Sequence, residues 1–194
     1  MKLILSNKAI LIIEDYPIMR KSLKDMLYAL GANYIFEAEN GSAAISAMNK
    51  QKFDIILCDY NLGTGKNGQQ ILEEAKYNKL ISFKTIFIIV TAHQTASFVL
   101  SAIENKPDEY LAKPFNAQQL CKRIEKSQLR KEAFSVIEKE IDKGNLAHAI
   151  LHYDELIAEN NMALRSQLLK LRANLALNTG GLCYAGLKSH FHIS

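Results

Sequence analysis

Residues 9–15 read Ala9-Ile10-Leu11-Ile12-Ile13-Glu14-Asp15. An unbroken apolar run of this length, closed by two acids, predicts a strand buried on both faces. A strand with one wet face would alternate instead. The figure returns along the chain. Residues 53–57 form a comparable run ending at Cys58-Asp59, residues 85–90 another ending at Thr91, and Glu109–Ala112 a short one ending at Lys113. Tyr34–Ala38 reads as one more strand. Between these runs the apolar spacing turns helical. Met19, Leu23, Met26, Leu27 and Leu30 follow Pro17, which suits a first helical turn, and Gly31 stops them. Ala44, Ile45 and Met48 follow Asn40-Gly41; then come Ile71, Leu72 and Ala75, and then Ala96, Phe98, Val99, Ala102 and Ile103. A long helical stretch begins near Asn116, after Pro114. Five strand–helix units predict an α/β fold: a doubly wound, five-stranded parallel sheet with helices on both faces, ending near residue 127.

Bulk composition narrows the function. With 194 residues, 48% of them hydrophobic and 23% charged, the chain has the makeup of a soluble globular protein with room for a domain and a smaller module. The net charge of +4 is mild, and even the basic stretch 122–131 includes Glu125. That is a solvated helix face, so no nucleic-acid partner is expected. Cys58, Cys121 and Cys183 lie far apart with no metal-ligand spacing, which reads as reduced thiols. Ser6, Asn7 and Lys8 interrupt the apolar start, and no run is long enough to cross a bilayer. A cytoplasmic protein with no membrane partner is the expectation.

In open parallel sheets, ligands sit outside the carboxyl ends of the strands. That rule singles out Glu14, Asp15, Asp59, Thr91 and Lys113, each of which directly follows an apolar run. Alone, each has an ordinary reading as a cap, a loop acid or a surface lysine. Together, carboxylates, a hydroxyl and an ammonium on one edge make a divalent-metal and phosphoryl site. Clustered carboxylates repel one another and imply a bound cation; oxygen ligands favour Mg²⁺. Asp59 could then attack a phosphoryl group, with Lys113 and the Thr91 hydroxyl meeting the developing charge. An aspartate-nucleophile hydrolase uses related chemistry, but it carries an Asp-x-Asp motif after the first strand, whereas the candidate nucleophile here follows the third.

The pair Glu14-Asp15, then Asp59, the Thr91-Ala92 step, Tyr110 and Lys113-Pro114 resemble, in order and spacing, the signature of the response-regulator receiver family of two-component signalling. The resemblance covers about residues 8–127 and implies a flavodoxin-like fold and a signalling role in place of an enzyme's. By that resemblance Asp59 is the phosphoacceptor, and Asp15, Asp59 and the Asn61 backbone carbonyl ligate Mg²⁺, with Glu14 assisting through water. Pro114 would follow a cis peptide that aims Lys113 into the site. Thr91 and Tyr110 would form the switch, altering the surface of residues 94–105 and the strand and helix beyond. Tyr110 has a plainer reading too, as an edge-strand aromatic covering the core. Asn61 and His93 resemble positions that tune phosphoryl lifetime. The implied partner is a histidine kinase or phosphotransfer protein. One departure is the loop after Asp59, Tyr-Asn-Leu-Gly-Thr-Gly-Lys-Asn-Gly, longer and richer in glycine than the common form.

From residue 128 to 194 the pattern is helical throughout. Phe134, Ile137 and Ile141 share a face, Gly144-Asn145 breaks it, and Leu146, Ala149, Ile150, Tyr153 and Ile157 form another. Leu164, Leu168, Leu171, Leu175 and Leu177 follow, up to Gly180-Gly181. The strings beginning at Gly144 and Gly180 align, giving a period in the mid-thirties. Small Ala149, aromatic Tyr153 and the glycine break resemble a tetratricopeptide-like helical-hairpin module; a generic helical extension or dimerisation hairpin is the other reading. Fewer than two repeats are present, so the module is expected to be incomplete: part of a longer protein, or completed by the receiver or a second copy in a homodimer. The expected function is a response regulator signalling through protein contacts of this module. A phosphoryl sink or kinase-binding scaffold is the alternative.

Overall fold

The structure, a computed structural model, describes residues 4–92 and 106–159, together with Leu169 and Ala173. His93, the helix predicted over 94–105, Cys183, the five leucines of the third helical run and Gly180-Gly181 lie outside the described residues.

The described elements are β1 (Ala9–Ile13), α1 (Pro17–Ala29), β2 (Tyr34–Ala38), α2 (Gly41–Lys50), β3 (Ile55–Asp59), α3 (Gly68–Tyr77), β4 (Ile86–Thr91), β5 (Glu109–Ala112), α4 (Ala117–Asp142) and α5 (Leu146–Glu159). The five strands form one sheet in the order β2-β1-β3-β4-β5, parallel at every pairing. This is the flavodoxin-like order, and the chain reverses direction of sheet growth between β1 and β3, where a crevice opens at the carboxyl ends.

Successive strand residues point to opposite faces, so a strand buried on both feeds two cores. Ile10, Ile12, Ile55, Leu57, Ile86 and Ile88 pack with Leu23 and Leu27 of α1 and Leu120 and Ile124 of α4. Their neighbours Leu11, Ile13, Ile56, Cys58, Phe87 and Ile89 pack on the other face with Ala44 and Met48 of α2 and Ile71, Leu72 and Ala75 of α3. β2 differs. It is an edge strand, and its Tyr34 and Phe36 are exposed.

The third and fourth strands lie one or two residues later than the apolar runs suggest. Phe53 is buried by packing, not pairing, and the Thr85 hydroxyl donates to its carbonyl at 2.9 Å while the Thr85 N–H closes a turn on Ser82. The ladder starts beyond them and takes in Asp59, opposite Val90, and Thr91, opposite Ala112. Asparagines cap the starts of α2, α3 and α4. Asn40 accepts from the Ala43 N–H at 2.9 Å, and Asn67–Gln70 and Asn116–Gln119 form reciprocal caps. Each such cap is worth about 1 kcal/mol.

The chain divides into two compact units, residues 1–128 and 129–194. In the second, Gly144 takes a left-handed φ of 76° and turns the chain between α4 and α5. Ile137, Ala149, Tyr153 and Ile157 then bury together, with Phe134, Ile141 and Leu156 packed around them. The Phe134 and Tyr153 rings meet edge to face at 6.3 Å.

Candidate functional site

β1 and β3 are adjacent, so the residues ending them arrive side by side. Glu14, Asp15 and Asp59 each bring a carboxylate oxygen within 4.8 Å of the other two. Among the described residues this is the one group of three such donors. Lys113, just past β5, reaches back across the edge. Its Nζ lies 2.8 Å from Glu14 Oε2 and 3.0 Å from Asp59 Oδ1. The Lys113 side chain is 17% exposed, Glu14 2% and Asp59 11%, so the pairing is largely withdrawn from water. The Lys113 N–H donates to the Thr91 carbonyl at 2.7 Å, joining its main chain to the end of β4; the Lys113-Pro114 peptide is cis.

Three carboxylates against one ammonium leave the hollow with excess negative charge. Burial raises the Glu14 carboxyl above its ordinary range, and the charge of Asp59 adds to this, while Lys113 opposes it. Asp59 is raised in the same way, by burial first and by Asp15 next, again against Lys113. Burial would lower the Lys113 ammonium, but its hydrogen bonds to Glu14 and Asp59 outweigh that and raise it. A concentrated set of hard oxygen donors, short of positive charge, fits a divalent cation such as Mg²⁺.

Thr91 is buried at the end of β4, next to Ala112. Tyr110 is half-buried and packs on the cluster that contains Phe87 and Ile89. Asn61 is exposed in the loop two residues past Asp59. Pro114 is exposed and follows the cis bond. The structure thus brings together Glu14, Asp15, Asp59 and Lys113 by direct geometry, and puts Thr91 on the neighbouring strand end.

Two further residues shape the site. A Cβ on Gly68 would stand 2.6 Å from the Asp59 carbonyl oxygen and 3.2 Å from Cys58 Sγ, so only glycine lets α3 start this close to the end of β3. The Gly68 N–H closes the loop on the Tyr60 carbonyl at 2.9 Å. Within that loop Gly63 has φ 68° and sits against the Asp15 carboxylate. Arg20, in the first turn of α1, donates from Nη1 to the Glu14 carbonyl at 2.6 Å. The glycines were visible in the sequence as an unusual loop; nothing in the spacing marked Arg20.

The sequence profile of the family described as "Response regulator receiver domain" matches residues 10–125, more than half of the chain. Chemotaxis protein CheY of Pseudomonas aeruginosa is 30% identical over 117 residues, which is 60% of this chain and 93% of that protein. Chemotaxis protein CheY-3 of Vibrio cholerae is 29% identical over 120 residues, covering 62% and 91%. Among solved structures, the N-terminal domain of a response regulator/sensory box/GGDEF 3-domain protein from Carboxydothermus hydrogenoformans superposes with a TM-score of 0.56 at 26% identity, over 66% of this chain and 99% of that one. CheY4 of Vibrio cholerae gives 0.55 at 21% identity, over 62% and 98%, and supports the fold alone.

Proposed function

The chain belongs to the response-regulator receiver family, and from that premise we propose that it is a phosphorylation switch taking its phosphoryl group on Asp59. The observation that carries this reading is the Lys113 ammonium held between Asp59 and Glu14 beside a third carboxylate, Asp15. Asp59 meets the ammonium at 3.0 Å and is also the acid paired to β4, opposite Val90 and one residue from Thr91.

In the proposed reaction an Asp59 carboxylate oxygen forms a bond to phosphorus as the bond to the donor breaks. The donor is a phosphohistidine of a histidine kinase or phosphotransfer protein, and its imidazole leaves with the electron pair and picks up a proton. Mg²⁺, held by Asp15, Asp59 and the Asn61 carbonyl with Glu14 behind them, would supply charge neutralisation for the phosphoryl oxygens. Lys113 gives up part of its hold on Asp59 to meet a phosphoryl oxygen, and the Thr91 hydroxyl donates to another. Most of the rate advantage in such a transfer comes from positioning and fixed charge. The new charge draws Thr91 and Lys113 inward, and half-buried Tyr110, on the same strand as Lys113's anchor, turns toward the space released. The hairpin of α4 and α5, read as tetratricopeptide-like, passes the state to a protein partner.

Phosphotransfer from radiolabelled acetyl phosphate with Mg²⁺ tests the assignment. The unaltered chain takes label and Asp59→Asn does not. Equal labelling of both would remove Asp59 from this role.

A further inference from the structure

Two acids of the hollow, Glu14 and Asp15, sit on the short segment between β1 and α1. β1 ends at Ile13, α1 begins at Pro17, and Pro17 has no N–H to contribute. Tyr16, at the helix start, makes no side-chain cap. Mutual repulsion of Glu14, Asp15 and Asp59 would push this segment outward.

Arg20 occupies the place from which the segment can be restrained. Its Nη1 lies 2.6 Å from the Glu14 carbonyl oxygen and 3.4 Å from that of Asp15, and its Nε lies 3.2 Å from Glu37 Oε2 on β2. Lys24, one turn further along α1, pairs with the other oxygen of Glu37. The Glu14 N–H donates to the Ala38 carbonyl, the residue after Glu37, so the same stretch of β2 ties the acidic segment twice. The planar guanidinium reaches main chain and carboxylate at once; an ammonium is a point charge without that fork. Resting on the reading of the hollow as a Mg²⁺ site, we propose that Arg20 is a positioning residue for metal binding: it holds the Glu14-Asp15 main chain, while Glu37 holds Arg20 and cancels its charge.

Charge and positioning predict opposite signs here. A bare cation beside a cation site weakens metal binding, so if Arg20 acted only through its charge, removing it would tighten Mg²⁺. If it positions the acids, removing it loosens Mg²⁺. Groups of this kind behind metal ligands are worth about ten- to a hundredfold in affinity. Isothermal titration of the full chain with Mg²⁺ is the test, with the metal-free thermal midpoint recorded for every variant. Arg20→Gln is expected to raise the Kd about tenfold. Arg20→Lys restores charge without the fork and stays within a few-fold of Arg20→Gln. Glu37→Gln also raises the Kd, but charge alone predicts that too; Arg20→Lys, for which charge alone predicts an unchanged Kd and positioning a raised one, keeps the test alive if Arg20→Gln does not fold. Lys8→Gln, which breaks the half-exposed Lys8–Asp54 pair at the ends of β1 and β3 opposite the hollow, shifts the midpoint and leaves the Kd alone. An unchanged or lower Kd in Arg20→Gln overturns the proposal while leaving the metal site intact. Absence of Mg²⁺ binding by the unaltered chain removes the site, and this proposal with it.

Discussion

Replacing Lys113 by methionine keeps the aliphatic stem and deletes the ammonium that Glu14 and Asp59 share. At about 3 Å and an effective dielectric near 20, each contact carries roughly 5 kcal/mol of gross attraction, much of it offset by the cost of burying three charges. Deleting one member of a buried ion pair typically costs about 3–5 kcal/mol, because the remaining charge is left uncompensated. Here the low end applies, about 3 kcal/mol, since burial already raises both carboxyls and makes either readier to take up a proton than an ordinary carboxylate. The loss depends on metal. With EDTA nothing replaces the missing charge; with saturating Mg²⁺ a divalent cation does, and the loss falls below about 1.5 kcal/mol, half of the metal-free figure. Urea unfolding at neutral pH in the two conditions measures both numbers, and an unchanged m-value shows that stability itself has moved. Equal losses with and without Mg²⁺ would mean that the ammonium and the metal do not answer the same charge, and the account of the hollow would fail.

Two other perturbations read the same region. Gly68→Ala should destabilise the chain by about 2–3 kcal/mol, since its Cβ meets the Asp59 main-chain oxygen at 2.6 Å and the backbone must move; an unchanged thermal midpoint would contradict this. The pH dependence follows from the raised carboxyls of Glu14 and Asp59. The folded state binds those protons more tightly than the unfolded chain, so the metal-free contribution of these two groups is fully present below the ordinary carboxylate range, about pH 4, and is lost as pH rises through the elevated native values. In EDTA the urea midpoint should drop over that interval, and Asp59→Asn should reduce the drop and stand above the unaltered chain at neutral pH. A rise with pH, steeper in the variant, would be the opposite sign.

The sheet was legible because three of its strands, β1, β3 and β4, are buried on both faces: Ile10 to Ile13 had to be apolar throughout, and such runs cannot be mistaken for alternating ones. The site was legible for a related reason. A polar residue directly after a doubly buried strand has one place to go, the carboxyl edge, so Glu14, Asp59, Thr91 and Lys113 could be assigned to a common edge without knowing a contact. What stayed hidden depends on the main chain. Thr85 looked like strand sequence, yet its hydroxyl is spent on the Phe53 carbonyl. Arg20 looked like any helix cation, because its partners are carbonyl groups, which every residue has. Gly68 stood out as a glycine, but its reason, the Asp59 carbonyl, lies nine residues back and across a loop. In the second unit the spacing gave the buried face of Ile137, Ala149, Tyr153 and Ile157. Of the repeat seen by comparing Gly144 with Gly180, the second copy lies outside the described residues.

The two flanks of the acidic hollow are built differently, and this bears on how the proposed switch would transmit. On the β2 side the acids are tied down: Arg20, Glu37 and Lys24 link α1 to the edge strand, and the Glu14 N–H joins the Ala38 carbonyl. Asp59 itself ends β3, a strand flanked by β1 and β4, and is paired to Val90 of β4. On the far side β5 has only four residues and, like β2, a single neighbouring strand; its ion pairs run from Glu109, at the end away from the hollow, to Arg123 and Lys126 of α4. Lys113 extends from that strand, and its N–H is joined to Thr91 at 2.7 Å. A phosphoryl group on Asp59 would change the charge that Lys113 answers, and the resulting pull meets a braced structure on one flank and a short edge strand on the other. Motion goes where the restraint is least. The proposed output therefore belongs to the β5 flank, where Tyr110 lies two residues before the end of the strand, and the β2 flank serves as the fixed frame against which it moves.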